Sequence, residues 1–147
     1  MLINLQGDTM PELQTITATL SADDRFTLFC LALKKTGLDA VLQGPGPFTV
    51  CAPTDEACRR LPPGKADALM QDPEGQLKRV IQYHILFGLL VVRDLKKLNY
   101  PKTRLGTTVE INERGGIVTI NSATVIIPDI SCKNGVIHGM DAVILPK

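Results

Sequence analysis

Tryptophan is absent from this 147-residue chain, and two Tyr and four Phe are its only aromatics. Two His and four Cys complete a sparse chemical toolkit. Few catalytic constellations can be assembled from it. Cys30, Cys51, Cys58 and Cys132 contain no Cys-x-x-Cys pair, and neither histidine stands beside one. That excludes a zinc-ribbon or zinc-finger pattern. An excess of one charge is also missing. Sixteen Lys+Arg against fifteen Asp+Glu leave +1, so the long-range basic field of a nucleic-acid binder is not there. The longest apolar run, Ile85 to Val92, is bounded by His84 and Arg93. A membrane span needs about 20 apolar residues, so no transmembrane segment is expected. Met1 to Met10 lack a basic start followed by an apolar run of roughly 7–15 residues, so this stretch does not read as a signal peptide.

What is present is a globular composition. Hydrophobic residues at 44% against charged residues at 21% exclude a disordered chain. The length fits one domain that buries about two-thirds of its unfolded surface, with no need of a disulfide or metal staple. No linker or internal repeat divides it. Residues 1–10 read as an N-terminal extension and residues 11–147 as one domain. The even cysteine count leaves a disulfide open, but free thiols filling core volume are the favoured reading.

The periodicity changes along the chain. Residues 11–88 favour helix and residues 89–147 favour strand. Leu13, Ile16 and Leu20 have helical spacing. Ser21 fits an N-cap, with Asp23 and Asp24 in the following turn. Phe26, Phe29, Cys30 and Leu33 make one apolar stripe, and Gly37 fits a left-handed stop. Gly44-Pro45-Gly46-Pro47 breaks the pattern. Phe48 to Ala52 is a short β-rich run that Pro53 ends. Thr54-Asp55-Glu56 opens a short helix reaching about Leu61. Asp72-Pro73-Glu74 opens another, whose stripe of Leu77, Val80, Ile81, His84 and Ile85 runs to Gly88. Beyond it, Val109, Ile111, Val118 and Ile120 flank a Gly-rich hairpin loop at 112–116. Thr124 to Ile127 is a strand closed by Pro128. Asn134-Gly135 marks a turn, and Val136 to Leu145 reads as a last bent strand or a pair of short ones.

Three segments together resemble the fasciclin-type domain. Phe48 to Cys58 resembles its first signature block, Leu77 to Gly88 its central helix with a Tyr83-His84 pair, and Asn134 to Pro146 its second block. The resemblance covers residues 11–147. It implies an α/β (α+β) domain with N-terminal helices packed beside a wedge of two small β-sheets. It also implies adhesion or matrix binding rather than catalysis, outside the cell, in the periplasm or attached to a surface. Cys51 and Cys58 stand where the family usually has bulky apolar or aromatic residues, which implies buried thiols. Gly139 and Met140 replace its usual β-branched pair, which implies a looser last strand.

Site candidates follow from both readings. Tyr83 lies about 100° around the helix from His84, which leaves it room to be exposed. The resemblance implies partner binding at Tyr83 and His84, and at Asp129 and Ile130 of the Pro128-Asp129-Ile130 segment. An exposed Asp129 could complete the coordination of a partner's metal ion. Against this stand two plain readings: a histidine at the edge of the core, and a strand end with a bend. His138, Asn134, Gly135, Pro53 and Thr54 read as structural. A buried histidine must satisfy its ring nitrogens, and an apolar strand surrounds His138. Arg93, Lys96, Lys97, Lys102 and Arg104, with Tyr100 among them, form a basic stretch that fits an anionic glycan, a phosphate surface or an acidic protein. The expected partner is a cell-surface or matrix protein or glycan, met by a monomer without cofactor, catalytic residue or metal. The alternatives are a thiol-dependent small enzyme or redox protein using a Cys/His pair, and a structural partner domain in a larger complex.

Overall fold

A computed structural model describes residues 13–146. The proposed extension at 1–10 and the first two residues of the domain lie outside the described residues, as does Lys147.

The helices come first. Thr15 caps α1 (Ile16–Ser21) by accepting from the Ala18 amide at 3.2 Å. Ser21 is the last residue of α1 rather than a cap. The cap is Asp23, whose carboxylate accepts from the Arg25 amide and guanidinium at the head of a 3-10 turn. α2 (Thr27–Thr36) buries Phe29, Ala32 and Leu33 and stops at Gly37, whose φ of 75° needs no Cβ. α3 (Leu38–Leu42) then leads to β1 (Phe48–Pro53). Thr54 caps α4 (Asp55–Arg59), accepting from the Ala57 amide at 3.1 Å.

Two helices were not legible in the periodicity: α5 (Lys65–Met70), entered through Gly64, and α7 (Val92–Leu95), a single turn pinned by buried Leu95. The helix expected from Asp72 starts later, as α6 (Gln76–Tyr83), with Asp72 accepting from the Gln76 amide from outside it. It also ends earlier. Ile85–Phe87 is a strand, β2, antiparallel to β1, because β1 offers its backbone a ladder that the helix would forgo.

The sheet runs β2-β1-β6-β5-β4-β3. β3 (Ile111–Arg114) and β4 (Ile117–Ile120) form a hairpin whose loop narrows to Gly115-Gly116. Both glycines have positive φ, as a two-residue primed turn requires. β5 (Ala123–Cys132) was expected to stop at Pro128. Instead it continues, with its register shifting between Ile127 and Ile130, so Pro128 and Asp129 sit in a bulge rather than at an end. β5 belongs to both halves of the wedge. Its start pairs β4, and its remainder pairs β6 (Gly135–Met140). β6 is also parallel to β1 from Phe48↔Gly135 to Pro53↔Met140.

The implied looseness of the last strand is corrected. β6 is buried throughout, and the space beside Gly139 is filled by the Ile127 side chain from β5. Alternation along β1 separates two cores. Val50 and Ala52 join the larger core under the helices, while Cys51 joins Leu86, Leu95, Ile111 and Ile120 in the smaller one.

Candidate functional site

The signature-block residues are spent on tying backbone together. Asn134 donates from Nδ2 to the carbonyls of Leu42 at 2.6 Å and Gly44 at 2.9 Å, and its Oδ1 accepts from the Ile16 amide at 3.0 Å. One buried amide thus joins α1, the end of α3 and the start of β6. Gly135 follows because a Cβ there would drive into the Phe48 carbonyl across the β1–β6 pair. Pro53 is the last residue of β1, opposite Met140, and the Thr54 amide after it donates to the Met140 carbonyl at 3.2 Å. Asp55 completes the frame: it accepts from the Leu28 amide at 2.8 Å and from the Thr27 hydroxyl, so it caps α2 from another helix. Asp55 was read only as a first-turn acid, since nothing local in the sequence links it to residues 27–28.

Tyr83 and His84 are both buried, at 7% and 1% exposure, which corrects the expected exposure of Tyr83. The Tyr83 hydroxyl donates weakly to the Thr108 carbonyl at 3.4 Å and accepts from Asn121 Nδ2 at 3.0 Å. Tyr83 and Tyr100 both line an open groove of about 720 Å³. His84 Nδ1–H donates to the Val80 carbonyl at 2.7 Å, and its Nε2 accepts from the Ile144 amide at 3.1 Å. Both ring nitrogens are therefore used by the neutral imidazole. Burial pushes its pKa down from 6.5 to about 4.

At the β5 bulge the geometry differs. Asp129 has φ of 59°, its amide donates to His138 Nδ1 at 3.1 Å, and its Oδ1 accepts from the Val92 amide at 2.8 Å. His138 Nε2–H donates to the Leu90 carbonyl at 2.7 Å. The imidazole is fully buried and is again satisfied as the neutral form. Burial lowers its pKa, against smaller opposing effects of the Leu90 carbonyl and Asp129. The Asp129 side chain itself is 48% exposed. Ile130 is half-buried against the larger core. The four residues implied as partner-binding therefore do not form one surface. Tyr83 and His84 are buried, Ile130 is half-buried, and of the four the Asp129 side chain is the exposed one.

All four cysteines are free thiols. Burial pushes the Cys51 thiol up to about 12 and Cys58 to about 11, and raises Cys30 and Cys132 too. A nucleophilic thiol requires the reverse. Cys58 and His84 line the same apolar cleft, of about 240 Å³. His84 has no nitrogen left to act as base, and no Cys–His hydrogen bond occurs among the described residues. No group of three or more His, Cys, Asp or Glu that could hold a metal occurs among the described residues. The basic stretch is exposed, and none of its five cations has a carboxylate within 4 Å among the described residues.

Helices over a curled six-stranded sheet, with both histidines and Asn134 used as backbone ties, define an α+β domain. The chain belongs to the fasciclin domain family, whose model matches residues 24–146. It is 41% identical to the uncharacterized protein sll1735 of Synechocystis sp., across 92% of this chain and 98% of that protein. It is 32% identical to transforming growth factor-beta-induced protein ig-h3 of Sus scrofa, over 92% of this chain but 20% of that protein. The fold matches a FAS1 domain pair from the insect cell adhesion molecule Fasciclin I with a TM-score of 0.75 at 19% identity, covering 90% of this chain and 51% of that one. The chain thus spans one-fifth of the pig protein and half of the insect pair. No described helix is long and apolar enough to cross a membrane.

Proposed function

We propose that this chain is a non-enzymatic binding module, acting in cell adhesion or in association with a surface or matrix, outside the cell or at its boundary. Family membership supports the adhesive class. The observation that carries the local reading is Asp129. Its backbone is set by a bulge and by His138, one carboxylate oxygen is held by the Val92 amide, and the other has no hydrogen-bond partner among the described residues. A fixed, half-exposed carboxylate can accept from a partner's Arg or Lys, or complete the coordination of a cation that the partner holds. The partner is a cell-surface or matrix protein or glycan.

Attachment of the purified domain to cells or matrix tests this. Asp129→Asn retains an oxygen for the Val92 amide but removes the charge. Attachment should fall about tenfold, the equivalent of ~1.4 kcal/mol, while the melting temperature stays put. Attachment equal to wild type would remove Asp129 from the account.

A further inference from the structure

Between Ile85 and Val109 the chain carries five cations and one acid, Asp94. That surplus of four, against +1 for the whole protein, leaves −3 for everything else. Four of the exposed large apolar side chains fall in the same stretch: Phe87, Leu89, Leu98 and Tyr100, the last 65% exposed. Cations and exposed apolar groups are not normally concentrated together. A solvated face carries the first without the second, and a protein-binding core is depleted of charge.

The stretch is one structural unit. It leaves the sheet at β2 and returns beside it: Leu86 and Thr103 are bridged antiparallel, and the Arg104 amide donates to the Ile85 carbonyl at 2.8 Å. In between it is pinned at three points. Leu95 is fully buried, the Leu90 amide donates to Thr49 Oγ1, and the Val92 amide donates to Asp129, each bond 2.8 Å. The exposure of its apolar side chains is therefore fixed and not a passing state of a loose loop. The two kinds of side chain interleave in space, with the Arg104 guanidinium 5.7 Å from the centre of the Phe87 ring. Asp94, Asp129 and Glu110, the last between amides that bond Pro101 and Asn99, are acids on and beside this unit, and among the described residues none is within 4 Å of its cations.

We infer that the 87–104 excursion docks on the surface of an anionic phospholipid bilayer, its cations against the phosphates and its apolar side chains in the headgroup boundary. Charge complementarity selects an anionic surface. The exposed Leu, Phe and Tyr side chains select a bilayer over a hydrated glycan, because only the bilayer offers an apolar layer behind its charges. The inference goes beyond the adhesion reading and does not rest on it, since purified lipids contain neither protein nor glycan.

Vesicle co-sedimentation tests it. The domain should bind mixed phosphatidylglycerol–phosphatidylcholine vesicles, bind less as salt is raised, and ignore pure phosphatidylcholine. Replacing Lys96, Lys97 and Lys102 together with Gln should weaken binding on the order of 100-fold, each cation near the surface contributing roughly fivefold. Leu89→Ser with Leu98→Ser should weaken it about tenfold or more. All five side chains are exposed, so the variants should melt like wild type. Tyr100→Trp provides a single reporter in a chain that has no tryptophan, and its emission should shift to the blue on anionic vesicles. No binding to anionic vesicles at low salt would overturn the inference. So would binding that survives the triple Gln variant. Binding lost in that variant but kept in the Leu→Ser pair, with unshifted emission from Tyr100→Trp, would mean an anionic polymer surface and would also overturn it.

Discussion

The β1–β6 seam and the surface formed by the β5 bulge and the 87–104 excursion treat polar groups in opposite ways. In the seam every singled-out polar group is enclosed and partnered. Asn134 makes three hydrogen bonds and Thr54 caps α4; beside the seam His84 uses both nitrogens. At the bulge and excursion, charges stand without Lys, Arg, Asp or Glu partners among the described residues, beside exposed Leu and Tyr. Buried polar groups that are fully satisfied specify structure. Exposed groups left unsatisfied are free to meet something else. The most recognisable residues of the chain are therefore its architecture, and the less recognisable face is where contact with a partner is best sought.

The sharpest way to break this contrast is Gly135→Ala. The added methyl has no room against the Phe48 carbonyl, so β1 and β6 must separate. We expect a loss of more than about 4 kcal/mol or a chain that does not fold, read by urea denaturation. A mild effect would mean that the seam yields more easily than its packing implies.

Acid comes next. His84 is neutral when folded, with a pKa of about 4 against 6.5 for the free side chain, and His138 is lowered as well. Between those values the unfolded chain binds protons that the native state refuses. Stability from His84 is thus fully present above pH 6.5 and is lost as pH falls toward 4, by about 3 kcal/mol. His138 adds in the same direction. Denaturation midpoints across this range should show that acid limb, and His84→Gln should flatten it. A pH-independent midpoint would contradict the buried neutral assignment.

Thr54→Ala is smaller. It removes one cap and should cost about 1 kcal/mol, a fall in melting temperature of about 4 °C. No change would mean that the Ala57 amide finds another acceptor.

Where the signal was local, the sequence was informative. The Gly37 stop, the Thr54 cap, the Gly115-Gly116 turn and the β1 run could each be read from neighbours a few residues apart. Where the deciding contact was distant, it was not. Ile85 to Phe87 continue a helical stripe, and only the backbone of β1, more than thirty residues earlier, makes them a strand. Tyr83 has a helical position that would allow exposure, but residues 95–144 close over it. Pro128 is a local stop signal, and a bulge carries the ladder past it. Asp129 was legible as a candidate from the resemblance; its carboxylate's hold on Val92 and its amide's bond to His138 depend on three segments meeting.

The most direct test pairs one residue from each region in one set of measurements. Thr54→Ala and Asp129→Asn would be melted and assayed for attachment at a temperature where both are folded. Thr54→Ala should melt about 4 °C lower yet attach like wild type, and Asp129→Asn should melt like wild type yet attach about tenfold more weakly. If attachment instead tracked melting temperature in both variants, the division between a structural seam and a binding surface would be contradicted.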